Sequence, residues 1–177
     1  MEDFLCCPEF SPTDEYVLDR LDKEKLKEWI GFLRSYREVL WQEDGYAGLV
    51  PLKKIRKRPA RSQALPVYPE TLKEMGLAFY EIFAGRPDFF PDLREAGFFT
   101  AGSFASRWTG TLWSPALAVA LIADAYRRDR FFDGLFGIGA DNGAYLKILL
   151  HLEDLIALRE YRASSVPDRE KKEKENC

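Results

Sequence analysis

SPALAVALIADAYRR, residues 114–128, decides the fold. Serine followed by proline is a helix start: the hydroxyl oxygen can accept from an unpaired first-turn amide, and proline is tolerated where its missing N–H has no helical partner. From Ala116 to Ala123 every residue is apolar. A helix without a polar face must be covered on all sides, which predicts a central helix over 115–128. The competing reading, a buried strand of a parallel sheet, needs a βαβ alternation around it, and none is present. The run ends at Asp124, far short of the roughly 20 residues that a membrane-spanning helix requires.

Helical spacing extends outward from this segment. Downstream, Tyr145, Ile148, Leu149, Leu152, Leu155 and Ile156 form one stripe of a terminal helix over about 143–161, widened by Leu146 and Leu150. Upstream, Leu26, Trp29, Ile30, Leu33, Tyr36 and Leu40 mark a helix from Asp22, and Gly31 inside it predicts a close approach by a neighbour. Leu72, Met75, Phe79, Ile82 and Phe83 mark another from Glu70, stopped by Gly85. Residues 42–69 gather glycine and proline and predict a long connection with a small β-hairpin through 49–55 and 64–68. Between Arg86 and Trp113 only short helical turns are predicted. The expected fold is mainly all-α: a single helical domain over 1–162 around a buried central helix, followed by a charged, mobile tail over 163–177.

GIGADNG, residues 137–143, raises the question of a phosphate loop. A dinucleotide fingerprint needs G-x-G-x-x-G after a buried strand. Here the spacing is G-x-G-x-x-x-G, and a helix precedes it. The expectation is a structural turn begun at Phe131 and closed by Gly137 and Gly139, with Asp141 or Asn142 capping the terminal helix.

Composition excludes several classes. The 177 residues fit one domain, with 46% hydrophobic and 14% aromatic content sufficient for a packed core. A net charge of −3 gives no global attraction to nucleic acid or to an anionic membrane. Cys6, Cys7 and Cys177 make no disulfide framework, and the acidic amino terminus does not resemble a signal peptide, so a cytoplasmic protein is expected. No membrane contact is expected.

Tyr126 to Leu152 resembles the carboxy-terminal signature of a family of small bacterial and phage proteins known only as a domain of unknown function. In that family an R-F-x-D-G core precedes a glycine and a leucine-rich helix. The matching positions are Arg130, Phe131, Asp133, Gly134, Gly143, Leu149 and Leu152, and the likeness covers about residues 115–155; Phe132 departs from the family's small residue or cysteine. The resemblance implies a helical fold and a mobile-element origin, and supplies no mechanism.

Three features carry candidate chemistry. The segment KKIRKRPAR places Lys53, Lys54, Arg56, Lys57, Arg58 and Arg61 together without an acid. If all six met phosphates, binding would weaken with salt at a log-log slope of roughly −5. The same loop could equally dock an acidic protein, lie against the first 22 residues, where seven acids face Arg20 alone, or simply be solvated. GSFASRWTGTLW, residues 102–113, has pocket-like composition through Arg107, Trp108 and Trp113, and also suits an irregular segment covering a core. Arg130 and Asp133 either clasp a corner or face a pocket beside Arg127 and Arg128.

His151, the chain's one histidine, falls at the edge of the terminal stripe, and no G-x-S-x-G elbow accompanies it. The pairs Asp88 with Asp92 and Glu153 with Asp154 show no environment that would separate their pKa values. No CxxC pair exists, so neither a metal nor a cofactor is expected. The expected function is non-enzymatic: an interaction or regulatory domain binding a macromolecule, with protein at least as favoured as nucleic acid. A nucleic-acid binder using 53–61 and an enzyme with an Arg/Asp/Trp pocket are the alternatives.

Overall fold

The computed structural model describes residues 9–42, 45–46, 68–96, 114–130 and 134–165. Within them the chain is mainly helical: α1 (Pro12–Leu18), α2 (Lys23–Leu40), α3 (Glu70–Ala84), a 3₁₀ turn (Pro87–Phe89), α4 (Pro115–Asp129), α5 (Leu135–Asp141) and α6 (Ala144–Ser165). Two two-residue strands, β1 (Trp41–Gln42) and β2 (Gly45–Tyr46), pair antiparallel directly after α2. Apart from Tyr68, which is not in a strand, the hairpin expected through 49–55 and 64–68 lies outside the described residues, as do residues 166–177.

The helix α4 is the centre. Every residue from Pro115 to Asp124 is buried, and α1, α3, α5 and α6 all pack on it. The helix α2 packs chiefly on α6 and α3, rather than on α4 as a first-layer neighbour. Tyr145, Phe79, Phe136, Ile122, Ile148 and Leu149 are among the fully buried side chains that fill the core. The terminal helix continues past Tyr161 to Ser165.

Two helices begin with the same dipeptide and meet at one carboxylate. Ser114 Oγ accepts from the amide of Leu117 (3.2 Å), and Ser11 Oγ accepts from the amide of Asp14 (3.2 Å), so each serine caps its own helix. Asp14, 7% exposed, then accepts from both starts. Its Oδ2 takes the N–H and hydroxyl of Ser11 (3.1 and 2.7 Å), and its Oδ1 takes the hydroxyl of Ser114 and the N–H of Ala116 (2.6 and 3.1 Å). One buried anion thus satisfies amides at the positive ends of α1 and α4 together. The acids around it also find partners. Arg159 of α6 reaches Glu15 (2.7 Å) and Asp19 (2.5 Å), and Lys23 pairs with Glu160. The helix α1 has no counterpart in the sequence reading, although Ser11-Pro12 repeats the Ser114-Pro115 signal.

The glycine-rich stretch joins two helices, as expected, but by a different route. Gly137 and Gly139 are buried inside α5 and do not close a turn. The turns belong to Gly134 (φ 90°), at the start of α5, and Gly143 (φ 77°), between α5 and α6, both left-handed positions that disfavour a side chain. Asn142 Oδ1 accepts from the amide of Ala144 (2.9 Å), whereas Asp141 is held by the Tyr36 hydroxyl. A Cβ on Gly139 would lie 2.2 Å from the Tyr145 ring, so this glycine exists for close packing. Gly31 does not: among the described residues nothing lies within 4 Å of its would-be Cβ, and none makes the close approach expected there.

Candidate functional site

The helix α3 presents its predicted inward face to the core, and two further apolar residues, Leu77 and Tyr80, to the outside. They are 44% and 38% exposed and one turn apart. Beside them, where α4 ends, a groove of about 350 Å³ opens, with Tyr68, Tyr126, Arg127, Asp129 and Arg130 completing its lining.

Its floor is an aromatic stack on Phe136. Tyr126 meets that ring edge-on (5.3 Å, 74°), Tyr68 does the same (5.7 Å, 86°), and Tyr80 tilts against Tyr126 (6.5 Å, 50°). Gly76 makes room for this: a Cβ there would sit 2.4 Å from Tyr126 Cδ2 and 2.6 Å from Phe136 Cζ. The Tyr68 hydroxyl donates to Asp129 Oδ1 (2.8 Å), which also accepts from the amide of Phe136 (2.9 Å). Asp129 therefore acts as a local brace, joining the end of α4 to the start of α5. Burial, reinforced by the neighbouring Asp129, pushes the Tyr68 phenol well above its usual range. Burial does the same to Tyr145 on the far side of Phe136, with Tyr68 and Asp129 adding to it. Both phenols therefore keep their protons near neutral pH.

The rim is cationic. Arg127 and Arg128 both reach Asp124 (3.2 and 2.8 Å), a carboxylate largely sealed from water. Arg130 is exposed, its Nε donating to the carbonyl of Arg127 at 3.4 Å, and it makes no ion pair among the described residues. Arginines at the last turn of α4 also complement the negative end of its dipole. The groove thus offers an apolar floor, a carboxylate already engaged by two donors, and guanidinium groups facing solvent.

Arg130 is the sequence-nominated site residue that falls in this groove. Lys53, Lys54, Arg56, Lys57, Arg58, Arg61, Arg107, Trp108, Trp113 and Asp133 all lie outside the described residues. His151 is half-buried on α6. Asp88 is gripped by Arg86 through paired contacts (3.1 and 2.9 Å), which hold its carboxyl below the usual range, and Asp92 caps the amides of Arg94 and Glu95 (2.8 and 3.3 Å). Among the described residues no three His, Cys, Asp or Glu side chains are grouped so as to hold a metal ion, and no helix is long and apolar enough to cross a membrane. The residues that sequence reasoning missed are Tyr68, Leu77, Tyr80 and Tyr126. One signal was available: Leu77 and Tyr80, three apart, fall off the inward stripe of their own helix.

Comparison with known protein families, with curated proteins and with solved structures finds no match for this chain.

Proposed function

We propose that the chain is a non-enzymatic interaction module of the cytoplasm, and that the groove beside α3 receives an acidic, apolar-bearing segment of a protein partner. One observation carries this reading: Arg127 and Arg130 flank an aromatic floor whose carboxylate, Asp129, is already engaged by the Tyr68 hydroxyl and the Phe136 amide. Charge at the rim then favours an anionic partner, while Leu77, Tyr80 and Tyr126 supply apolar contact. Arginine and tyrosine are the residues that most often dominate binding energy at protein interfaces. Arginine beside an aromatic floor also fits a carboxylate better than a lysine would, because its planar fork can bond both oxygens.

The test is fluorescence anisotropy with a labelled 15-residue peptide carrying Leu and Phe four residues apart among Asp and Glu. The lysine-substituted counterpart and a 20-nucleotide single-stranded DNA serve as comparisons. The acidic peptide should bind, weaken with salt, and lose roughly tenfold or more in affinity when Arg127 and Arg130 are both changed to Ala. Binding of the DNA alone, abolished by neutralising residues 53–61, would instead establish the nucleic-acid reading and remove this one.

A further inference from the structure

The outer face of α3 is an apolar crest with unlike sides. Leu77 and Tyr80, three apart on the helix, are both exposed along it. On the Tyr80 side lies the groove described above, with Arg127 and Arg130 at its rim. On the other side, where α3 faces the turn between α1 and α2, a cleft of about 330 Å³ opens between apolar walls that include Leu21, Ala78 and Ile82. The two hollows share Leu77 alone.

The mouth of the second cleft is acidic. Asp22, Glu74 and Glu81 stand there with Arg20 and Lys25, and both bases are already engaged. Arg20 lies over the Tyr16 ring at 3.6 Å and donates to the Tyr16 carbonyl (3.2 Å), and Lys25 pairs with Glu28 and Glu74 (3.1 and 3.8 Å). Glu81 makes no ion pair among the described residues, and on the opposite side neither does Arg130.

This layout is self-complementary. In an isologous dimer every contact occurs twice, once in each direction. A two-fold axis running along the crest sets Leu77 against its own copy and turns the acidic flank of each chain toward the cationic flank of the other. Glu81 of one copy then faces the side on which the other carries Arg130, and Tyr80 is directed at a cleft roomy enough for its phenol ring. An axis across the helix would instead oppose acid to acid and guanidinium to guanidinium. An apolar centre with a charged rim is also the usual anatomy of a protein interface.

We propose that a second copy of this chain is the acidic, apolar-bearing partner of the groove at the end of α4, joined to it through the outer face of α3. The inference rests on the reading of that groove as a protein-docking site and names its occupant.

Sedimentation velocity of the full chain, from about 5 to about 500 μM, should show monomer giving way to dimer, with association several-fold weaker at high salt. Leu77→Asp sets like charges against each other at the axis and should leave the chain monomeric. Glu81→Arg and Arg130→Glu each create like-charge contacts at two places, and each should weaken the dimer at least about tenfold. Mixed one to one, these two single variants regain opposite charges at both places and should form a heterodimer within about threefold of the unmodified affinity. All three positions are exposed, and circular dichroism checks that each variant is folded. A chain monomeric throughout, a dimer indifferent to both charge reversals, or folded single variants that do not associate when mixed each overturns the inference. The acidic peptide, applied to Glu81→Arg, which keeps Arg127 and Arg130, judges the groove separately. Binding there by a chain that never self-associates assigns the groove to a different protein and overturns the second copy alone; absence of both peptide binding and dimer overturns the groove reading as well.

Discussion

Asp14→Ala tests the central packing device most directly. The substitution removes a 7% exposed carboxylate that accepts from Ser11 N–H, Ser11 hydroxyl, Ser114 hydroxyl and Ala116 N–H. A hydrogen bond to a charged acceptor is worth about 1.5–3 kcal/mol, and loss of a cap about 1 kcal/mol. The four contacts share one group and are not additive, so we expect a loss of about 3–4 kcal/mol in total. In urea, with a slope of about 2 kcal/mol/M, the midpoint falls by roughly 1.5–2 M. Ser114→Ala separately removes the α4 cap and one donor and should cost about 1–2 kcal/mol. If Asp14 joins the two helices, the double variant costs less than the two singles together, by about 1 kcal/mol. An Asp14→Ala loss under about 1 kcal/mol, or strictly additive singles, would refute the idea that one carboxylate holds both helix starts.

Three further outcomes follow from the geometry. Gly31→Ala should stabilise the chain by about 0.5–1 kcal/mol, because the position lies mid-helix with open space around it; thermal melting checks the sign. Gly139→Ala should destabilise by about 3 kcal/mol or more, because its Cβ meets the Tyr145 ring at 2.2 Å inside a closed core; a denaturation midpoint near the wild type would show that the core can give way. In a spectrophotometric titration of the tyrosines, Tyr68 and Tyr145 should ionise above the ordinary tyrosine range. Both folded-state values are raised, so the stability they contribute is complete below about pH 10 and is lost as pH rises beyond it; Tyr68→Phe should remove one late-titrating group.

Much of the fold could be read from the chain because its strongest signals are local. Ser114-Pro115 and the eight apolar residues that follow specify a buried helix without reference to anything distant. The same Ser-Pro signal at residues 11–12 does not by itself reveal α1, because a seven-residue helix burying only Val17, Leu18 and Asp14 leaves too short a pattern to recognise. Glycine was the least legible residue type. Gly31 and Gly139 both lie inside helices, yet among the described residues one faces nothing within 4 Å and the other faces a phenol ring, and only tertiary packing separates them. The groove was hidden for a related reason. Tyr68 and Asp129 are 61 positions apart, and nothing local at either end announces the other. Arg130 stands out in sequence through its neighbours on α4, and in space it also shares the groove with Tyr68 and with Leu77 and Tyr80 of α3.

The Asp14 junction also bears on the order in which the protein can be made. The hydroxyl of Ser114 lies one hundred positions beyond the carboxylate it serves. During synthesis, which runs from the amino terminus, α1 emerges long before its partner exists, with Ser11 alone to satisfy its acid. That helix gains its lasting form only once α4 has been translated and docked. Termination before residue 114 would therefore leave a product whose first helix is unanchored, open to proteases and readily distinguished from the finished chain.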